Sequence, residues 1–281
     1  MRVEDLTIIG ERINASVPGI GELLERGQWN EVARLAAEQV RAGARAVDIN
    51  VGSLPDDVLI DAIGAVRGAV EVPLSVDSDD SARLLLGLEL LTGNGTGPPP
   101  LLNSVTSARA PAILPRRREA VFGAVLLLSE RSESGRVRLN ETTAQMLQTA
   151  SVLFEQAREN GFEPAELYFD PGLPPVAGDA EGRLNVVLDV LEEIGGNPVL
   201  AGTHRLVGIS NLTHHLPSAV RLPLQNAFLS LAADRGLDTI IGDPARAYRT
   251  LPEDDPVLTA LRAILDAEGF ERLSLLLELY R

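Results

Sequence analysis

Carboxylates and amides recur at the ends of short apolar runs in this chain. They are Glu11 and Asn14 in "LTIIGERIN", Asp48 and Asn50 in "ARAVDINVGS", Asp77 in "VPLSVDS", Asn103 in "PPLLNSVT", Ser129 and Glu130 in "GAVLLLSE", Asp170 in "LYFDPGL", Asn211 in "RLVGISN" and Asp243 in "LDTIIGDP". Gathered at one rim, such residues form a bed of hydrogen-bond acceptors and donors with little positive charge. That bed suits a flat, nitrogen-rich heterocycle rather than a phosphate. Taken singly, each residue has a plainer reading, because Asp and Asn after a strand are common helix caps and turn formers. The functional reading therefore rests on the set.

Other chemistries fall away by composition. The chain contains no lysine, which removes Schiff-base and lysine-base catalysis, and no cysteine, which removes disulfides, thiolate nucleophiles and thiolate metal sites. Its 3 histidines, His204, His214 and His215, are too few for a histidine-rich metal centre. Magnesium held by Glu11, Asp48, Asp77 or Asp243 is the remaining alternative, but the interleaved asparagines are poor substitutes for carboxylates, and no metal is expected.

The elements that must position these residues follow from periodicity. The eight apolar runs alternate with longer segments of helical spacing, the pattern of β–α repeats around a parallel sheet. "WNEVARLAAEQVRAGA" places Val32, Leu35, Ala36 and Val40 on one stripe, with Asn30 as N-cap and Gly43 as stop. Comparable helices are expected in "DDVLIDAIGAVRGAV", "DDSARLLLGLELL", "NETTAQMLQTASVLFEQAREN" (ending at Gly161), "GRLNVVLDVLEEIGG", "LPLQNAFLSLAADRG" and "DPVLTALRAILDAEG". Pro111 and Pro115 allow only a short helix after the fourth run, and "TGNGTGPPP", Thr92 to Pro100, reads as a loop. No linker or low-complexity tract divides the 281 residues. The expectation is a single (β/α)8 barrel domain over residues 1–281, with its active site at the C-terminal ends of the strands.

Hydrophobic residues make up 45% of the chain and aromatics only 4%, so the core must be mainly aliphatic. A formal charge of −15 opposes nonspecific binding to nucleic acid or anionic membrane. No uninterrupted apolar run approaches the ~18 residues of a spanning helix, and the N-terminal apolar stretch is short for a signal peptide. A cytoplasmic location is the default expectation.

"IIGERIN", "ARAVDINVG", "SVDS", "LLNS", "LYFDPGL" and "VGISN" resemble, in order and spacing, the segments of the pterin-binding barrel family. Within it they resemble the methyltetrahydrofolate:corrinoid/iron–sulfur protein methyltransferases and the folate domain of cobalamin-dependent methionine synthase. The resemblance runs from about Leu6 to about Asp243. It implies that the pterin's aminopyrimidine edge is held by Asp77, Asn103 and Asp170, and that Asn211 stands near the methyl-bearing nitrogen of methyltetrahydrofolate. A tertiary amine leaves poorly unless it gains a proton, and a side-chain amide can support that proton without a fixed charge. The resemblance routes the proton through water and a network in which Asp77 is the carboxylate.

The implied substrate-binding set is Glu11, Asn14, Asp48, Asn50, Asp77, Asn103, Asp170, Gly208, Ser210, Asn211 and Arg221, with Asn211 and Asp77 in catalytic roles. Arg221 occupies a position where the family commonly has arginine, whereas His214 reads as a plain loop residue. The chain lacks the D-x-H-x-x-G cobalamin motif, and "THRLVG" does not replace it. The resemblance therefore implies tetrahydrofolate or 5-methyltetrahydrofolate as substrate, a cobalamin-type corrinoid on a separate corrinoid-binding protein, and a homodimer.

The sequence also departs from the family. "LLLSERSESGR" stands where relatives carry a longer polar loop beginning with threonine, which puts pterin contacts there in doubt. "TGNGTGPPP" lies on the far side of the barrel. The triple arginine 116–118 reads as a solvated patch, the alternative being a docking point for an anionic folate tail. Two rival functions remain: dihydropteroate synthase, whose lysine and arginine after the seventh strand are missing from "GISNLTHHL", and a noncatalytic folate-binding protein.

Overall fold

The computed structural model describes residues 1–93 and 97–279. Eight parallel strands close a barrel in the order β1, β10, β9, β8, β5, β4, β3, β2. They are β1 (Thr7–Asn14), β2 (Ala46–Asn50), β3 (Leu74–Asp77), β4 (Leu101–Val105), β5 (Gly123–Leu127), β8 (Leu167–Asp170), β9 (His204–Gly208) and β10 (Thr239–Gly242). Each coincides with one of the eight apolar runs, because a strand covered by helices outside and side chains inside must be apolar throughout. Two further strands, β6 (Glu130–Glu133) and β7 (Arg136–Leu139), form a separate antiparallel hairpin after β5.

The outer helices are α1 (Ile20–Glu25), α2 (Trp29–Arg41), α3 (Asp56–Arg67), α4 (Ser81–Thr92), α5 (Ala110–Ile113), α6 (Thr143–Glu159), α7 (Arg183–Gly196), α8 (Ser218–Asp234), α9 (Pro256–Asp266) and α10 (Phe270–Glu278). As the two prolines dictate, α5 is short and gives way to a 3-10 turn over Leu114–Arg118. The loop expected over Thr92 to Pro100 lies partly outside the described residues.

Two helix starts differ from the expectation. Asn30 is not the cap of α2: the helix begins at Trp29, directly after the turn in which Gln28 N–H donates to Leu23 O at the end of α1. Similarly, α8 begins at Ser218 rather than near Leu222 and carries Pro223 inside it, so Arg221 belongs to its first turn.

The helices bury their apolar stripes against the barrel. For α2 these are Val32, Leu35 and Ala36, with the polar Gln39 fully buried among them. Inside the barrel, Ile9, Ala46, Leu101, Val125, Leu206 and Ile241 pack together from six of the strands. This plug fills the barrel beneath the rim, leaving the strands' C-terminal ends to form a cavity.

Candidate active site

Two strands break their register where they reach the rim. Between β1 and β2, Gly10 faces Val47 but Ile13 faces Ile49, so β1 carries one extra residue around Glu11 and Arg12. Between β4 and β5, Asn103 faces Val125 while Val105 faces Leu126. Such bulges bend a strand and re-aim its side chains, here at Glu11 and Asn103. Gln39 of α2 secures the first bulge: its Oε1 accepts the Arg12 backbone N–H at 2.8 Å. A Cβ at position 10 would stand 2.5 Å from Gln39 Oε1, so glycine there lets Gln39 keep this bond undisturbed.

The rim encloses a cavity of about 730 Å³. Glu11, Asn14, Asp48, Asn50, Asp77, Asn103, Asp170, Gly208, Ser210, Asn211 and Arg221 all line it, so every residue of the expected set reaches one space. Asp243 and His214 line it as well. Ser129 and Glu130 are absent from the lining, because the chain turns away after β5 into the β6–β7 hairpin.

The cavity has two unlike sides. On the arc from β2 to β8, acids and amides hold one another. Asn50 Nδ2 donates to Asp77 Oδ2 at 2.8 Å, while Asn50 Oδ1 accepts the Gly52 N–H at 2.8 Å. Asn103 Nδ2 lies 3.4 Å from Asp48 Oδ1, and Asp170 Oδ1 accepts the Gly172 N–H at 2.8 Å. Burial raises the carboxyls of this arc. Asp48 is pushed well above the carboxylate range by burial and then by the Asp77 charge. Burial also lifts Asp77 against the opposing effects of the Asn50 hydrogen bond and the Arg109 charge. For Asp170, burial lifts the carboxyl to about 6 against the Gly172 hydrogen bond.

On the arc β9–β10–β1 the groups are more loosely tied. Glu11 Oε2 accepts the Ser210 hydroxyl at 2.9 Å, and burial holds its carboxyl at about 7. Asn211 is exposed to the cavity, and its side chain has no hydrogen-bond partner among the described residues. A Cβ at Gly208 would approach its Nδ2 to 3.1 Å, so glycine there leaves the amide room. Arg221 donates its Nε to Leu216 O at 2.7 Å. By contrast, Asn14 accepts both the N–H and the hydroxyl of Ser16, at 2.9 and 2.7 Å, which makes it chiefly a turn former.

Some lining residues went unnoticed in the sequence. Thr213, Gln225 and Arg246 sit behind Ser210: Gln225 Nε2 donates to Thr213 Oγ1 at 2.9 Å, and Arg246 Nη1 reaches Gln225 Oε1 at 3.5 Å. The signal was a buried glutamine in α8, visible only once the helix's apolar face is known.

The triple arginine lies at the opposite, N-terminal end of the strands and is not simply a solvated patch. Arg117 grips Glu166, just before β8, through two bonds of 3.1 and 2.9 Å and lies 5.7 Å over the Phe162 ring. Arg116 pairs with Glu119, and Arg118 donates to Glu159 O. His204, also at that end, stacks on Tyr168 and bonds to Asp238. Among the described residues no group of three or more His, Cys, Asp or Glu is arranged to hold a metal ion, and no helix is long and apolar enough to cross a membrane.

A family model described as pterin binding enzyme matches residues 10–243, from the β1 bulge to the last rim carboxylate. The chain belongs to this family of pterin-binding enzymes. Among its relatives is a methylcorrinoid:tetrahydrofolate methyltransferase of Eubacterium limosum, 25% identical over 244 residues that span 85% of each chain. Among solved structures, the dihydropteroate synthase of Xanthomonas albilineans with 4-aminobenzoic acid is similar with a TM-score of 0.61 and 19% identity, covering 93% of each chain. That of Yersinia pestis gives a TM-score of 0.61 and 18% identity over 94% of this chain and 95% of the other. At those identities the likeness is one of fold, shared across pterin-binding barrels of different activity.

Proposed function

We propose that this pterin-binding barrel, one domain over residues 1–281, moves a methyl group between 5-methyltetrahydrofolate and a cobalt corrinoid carried on a separate protein. The observation that carries the reading is Asn211. Its amide lines the cavity with no partner among the described residues, across from the acids suited to a pterin, in a chain with no lysine to serve a pyrophosphate. The relative from Eubacterium limosum, named a methylcorrinoid:tetrahydrofolate methyltransferase, supports it.

In this reading Asp77, Asn103 and Asp170 hold the aminopyrimidine edge. A carboxylate there accepts two parallel N–H bonds, and the Asn103 amide donates to one ring atom while accepting from another. Asn50 and Asp48 keep the two arc partners in position through the bonds described above. Asn211 faces the amine nitrogen that bears the methyl and stabilises its protonated form as the carbon–nitrogen bond changes. The corrinoid supplies a cobalt centre that gives or takes the methyl, and this chain lacks the D-x-H-x-x-G motif to hold it, so it arrives at the open mouth on its own protein.

The test is turnover. The purified protein is offered 5-methyltetrahydrofolate with chemically reduced cobalamin, and in parallel a pterin pyrophosphate with 4-aminobenzoate. Methylcobalamin in the first reaction and no pteroate in the second is the expected result. The reverse outcome assigns the chain to the synthases, and folate binding without either product makes it a noncatalytic binder.

A further inference from the structure

We propose that Glu11, relayed through the Ser210 hydroxyl, is the proton reservoir for the folate amine, a task the sequence resemblance routes through Asp77. This rests on the methyl-transfer reading and adds to it the identity of the group that exchanges the proton.

The barrel order separates the two candidates. Asn211 follows β9, and β3, which ends in Asp77, is four strands away in either direction around the closed eight-stranded ring. Asp77 therefore stands across the mouth, and one of its oxygens is already engaged by Asn50 Nδ2 at 2.8 Å. Glu11 lies on β1, two strands from β9, and its Oε2 accepts the hydroxyl of Ser210, the residue next to Asn211. A serine hydroxyl rotates and both donates and accepts, so it can pass a proton between a carboxyl on one side and an amine on the other.

The surroundings of Glu11 are arranged to keep its proton near neutrality. It is largely buried, and the carboxyl is raised to about 7, first by burial and then by the charge of Asp243, against the Ser210 hydrogen bond and the charge of Arg246. On the neighbouring strand β2 the Asp48 carboxyl feels the Glu11 charge too. Tyr248, whose hydroxyl is buried without a hydrogen-bond partner among the described residues, titrates only at high pH because of burial and the Glu11 charge. Apart from Glu11, these facing groups supply no second carboxyl tied to the Asn211 segment. The bulge fixed by Gln39 places Glu11 where this exchange needs it.

The step balances simply. When methyl leaves the folate, the carbon–nitrogen bonding pair stays on nitrogen, the nucleophilic acceptor's pair forms the new bond to the methyl carbon, and Glu11 gives its proton through Ser210 to the nitrogen, ending as carboxylate. In the opposite direction the nitrogen gives its proton to the Glu11 carboxylate as it receives the methyl. A carboxyl half-protonated near neutrality serves both.

The experiment follows single-turnover transfer from 5-methyltetrahydrofolate to cob(I)alamin across pH for the wild type, Glu11→Gln, Ser210→Ala and Asp77→Asn. Calorimetric folate affinity is the control for folding. The wild-type rate should fall as pH rises through about 7. Glu11→Gln should lose about a hundredfold in rate together with that limb while keeping its affinity within about threefold, general acid–base groups typically contributing ~10²–10⁴-fold. Asp77→Asn should bind weakly but keep the limb.

A corrinoid-free readout is the infrared carboxylic-acid carbonyl band. The difference between wild type and Glu11→Gln should titrate near 7. If Glu11→Gln retains both rate and limb, or the infrared difference shows no such titration, the inference fails and the methyl-transfer reading stands. A wild type that neither binds nor demethylates 5-methyltetrahydrofolate overturns both.

Discussion

The two arcs of the barrel mouth hold similar residue types and differ in whether all of them are tied down. From β2 to β8, each acid or amide is tied to a neighbour: Asn50 to Asp77, Asn103 to Asp48, Asp170 to the Gly172 backbone. From β9 to β1, Asn14 and Asp243 serve backbone turns, but Asn211 is untied among the described residues and Glu11 is held only by a rotatable hydroxyl. Fixed hydrogen-bonding groups read a ligand's shape and tautomer, because reorienting them would cost the bonds that hold them. Groups with freedom to exchange a proton suit a reacting atom. The contrast divides one cavity into a side that recognises and a side that reacts.

Removing a recognising acid should have the largest effect. Asp77→Ala takes away a carboxylate placed to accept two ring N–H bonds, each worth roughly 1.5–3 kcal/mol when charge-assisted. Affinity for 5-methyltetrahydrofolate, measured by calorimetry, should fall by about a hundredfold or more. A loss under tenfold would break the division between the arcs.

The reacting side should reveal itself in stability. Glu11 keeps its proton to about 7 in the folded protein against an ordinary 4.5. Between those values the folded state binds more protons than the unfolded, so stability falls as pH rises across that window. Glu11→Gln should remove that dependence and be more stable than the wild type by roughly 3 kcal/mol above pH 7.5, the cost of holding a buried carboxylate charged. Urea titrations at about pH 5 and pH 8 check it; equal pH profiles in the two proteins would contradict it.

A somewhat smaller loss is expected behind the rim. Gln39→Met deprives the bulge amide of Arg12 of its acceptor, which should cost ~1–3 kcal/mol in the same titration and slow methyl transfer by misplacing Glu11. Affinity set by the far arc should change little. The smallest effect belongs to the opposite end of the barrel. Arg117→Ala breaks the part-buried pair with Glu166 and should cost about 1 kcal/mol, leaving folate affinity and rate unaltered. A change in either would place a functional surface where none is assigned.

The barrel and the rim residues were legible because each strand is an apolar run ending in a polar residue, and the eight runs coincide with the barrel strands. What escaped depends on pairing. An extra residue at Glu11 or Asn103 leaves no mark in one strand read alone, since a bulge exists only relative to its neighbour. Gln39 left a trace: it falls on the α2 stripe with Leu35 and Ala36, and a polar side chain there signals a buried acceptor. The β6–β7 hairpin was readable too. Ser134 and Gly135 form its two-residue turn with φ of 50° and 76°, the positive-φ pair that such hairpins demand. Arg117 misled because a run of charges says nothing of the glutamate waiting beside it at the start of the neighbouring strand.

Methyl transfer by the Asn211→Ala protein, set against its affinity for 5-methyltetrahydrofolate, puts the division of the mouth to the most direct trial. The rate of methylcobalamin formation should fall about a hundredfold while the dissociation constant moves less than about threefold, the signature of an interaction made only as the bond to nitrogen changes. Equal losses in rate and affinity would contradict the account, since Asn211 would then be one more binding contact.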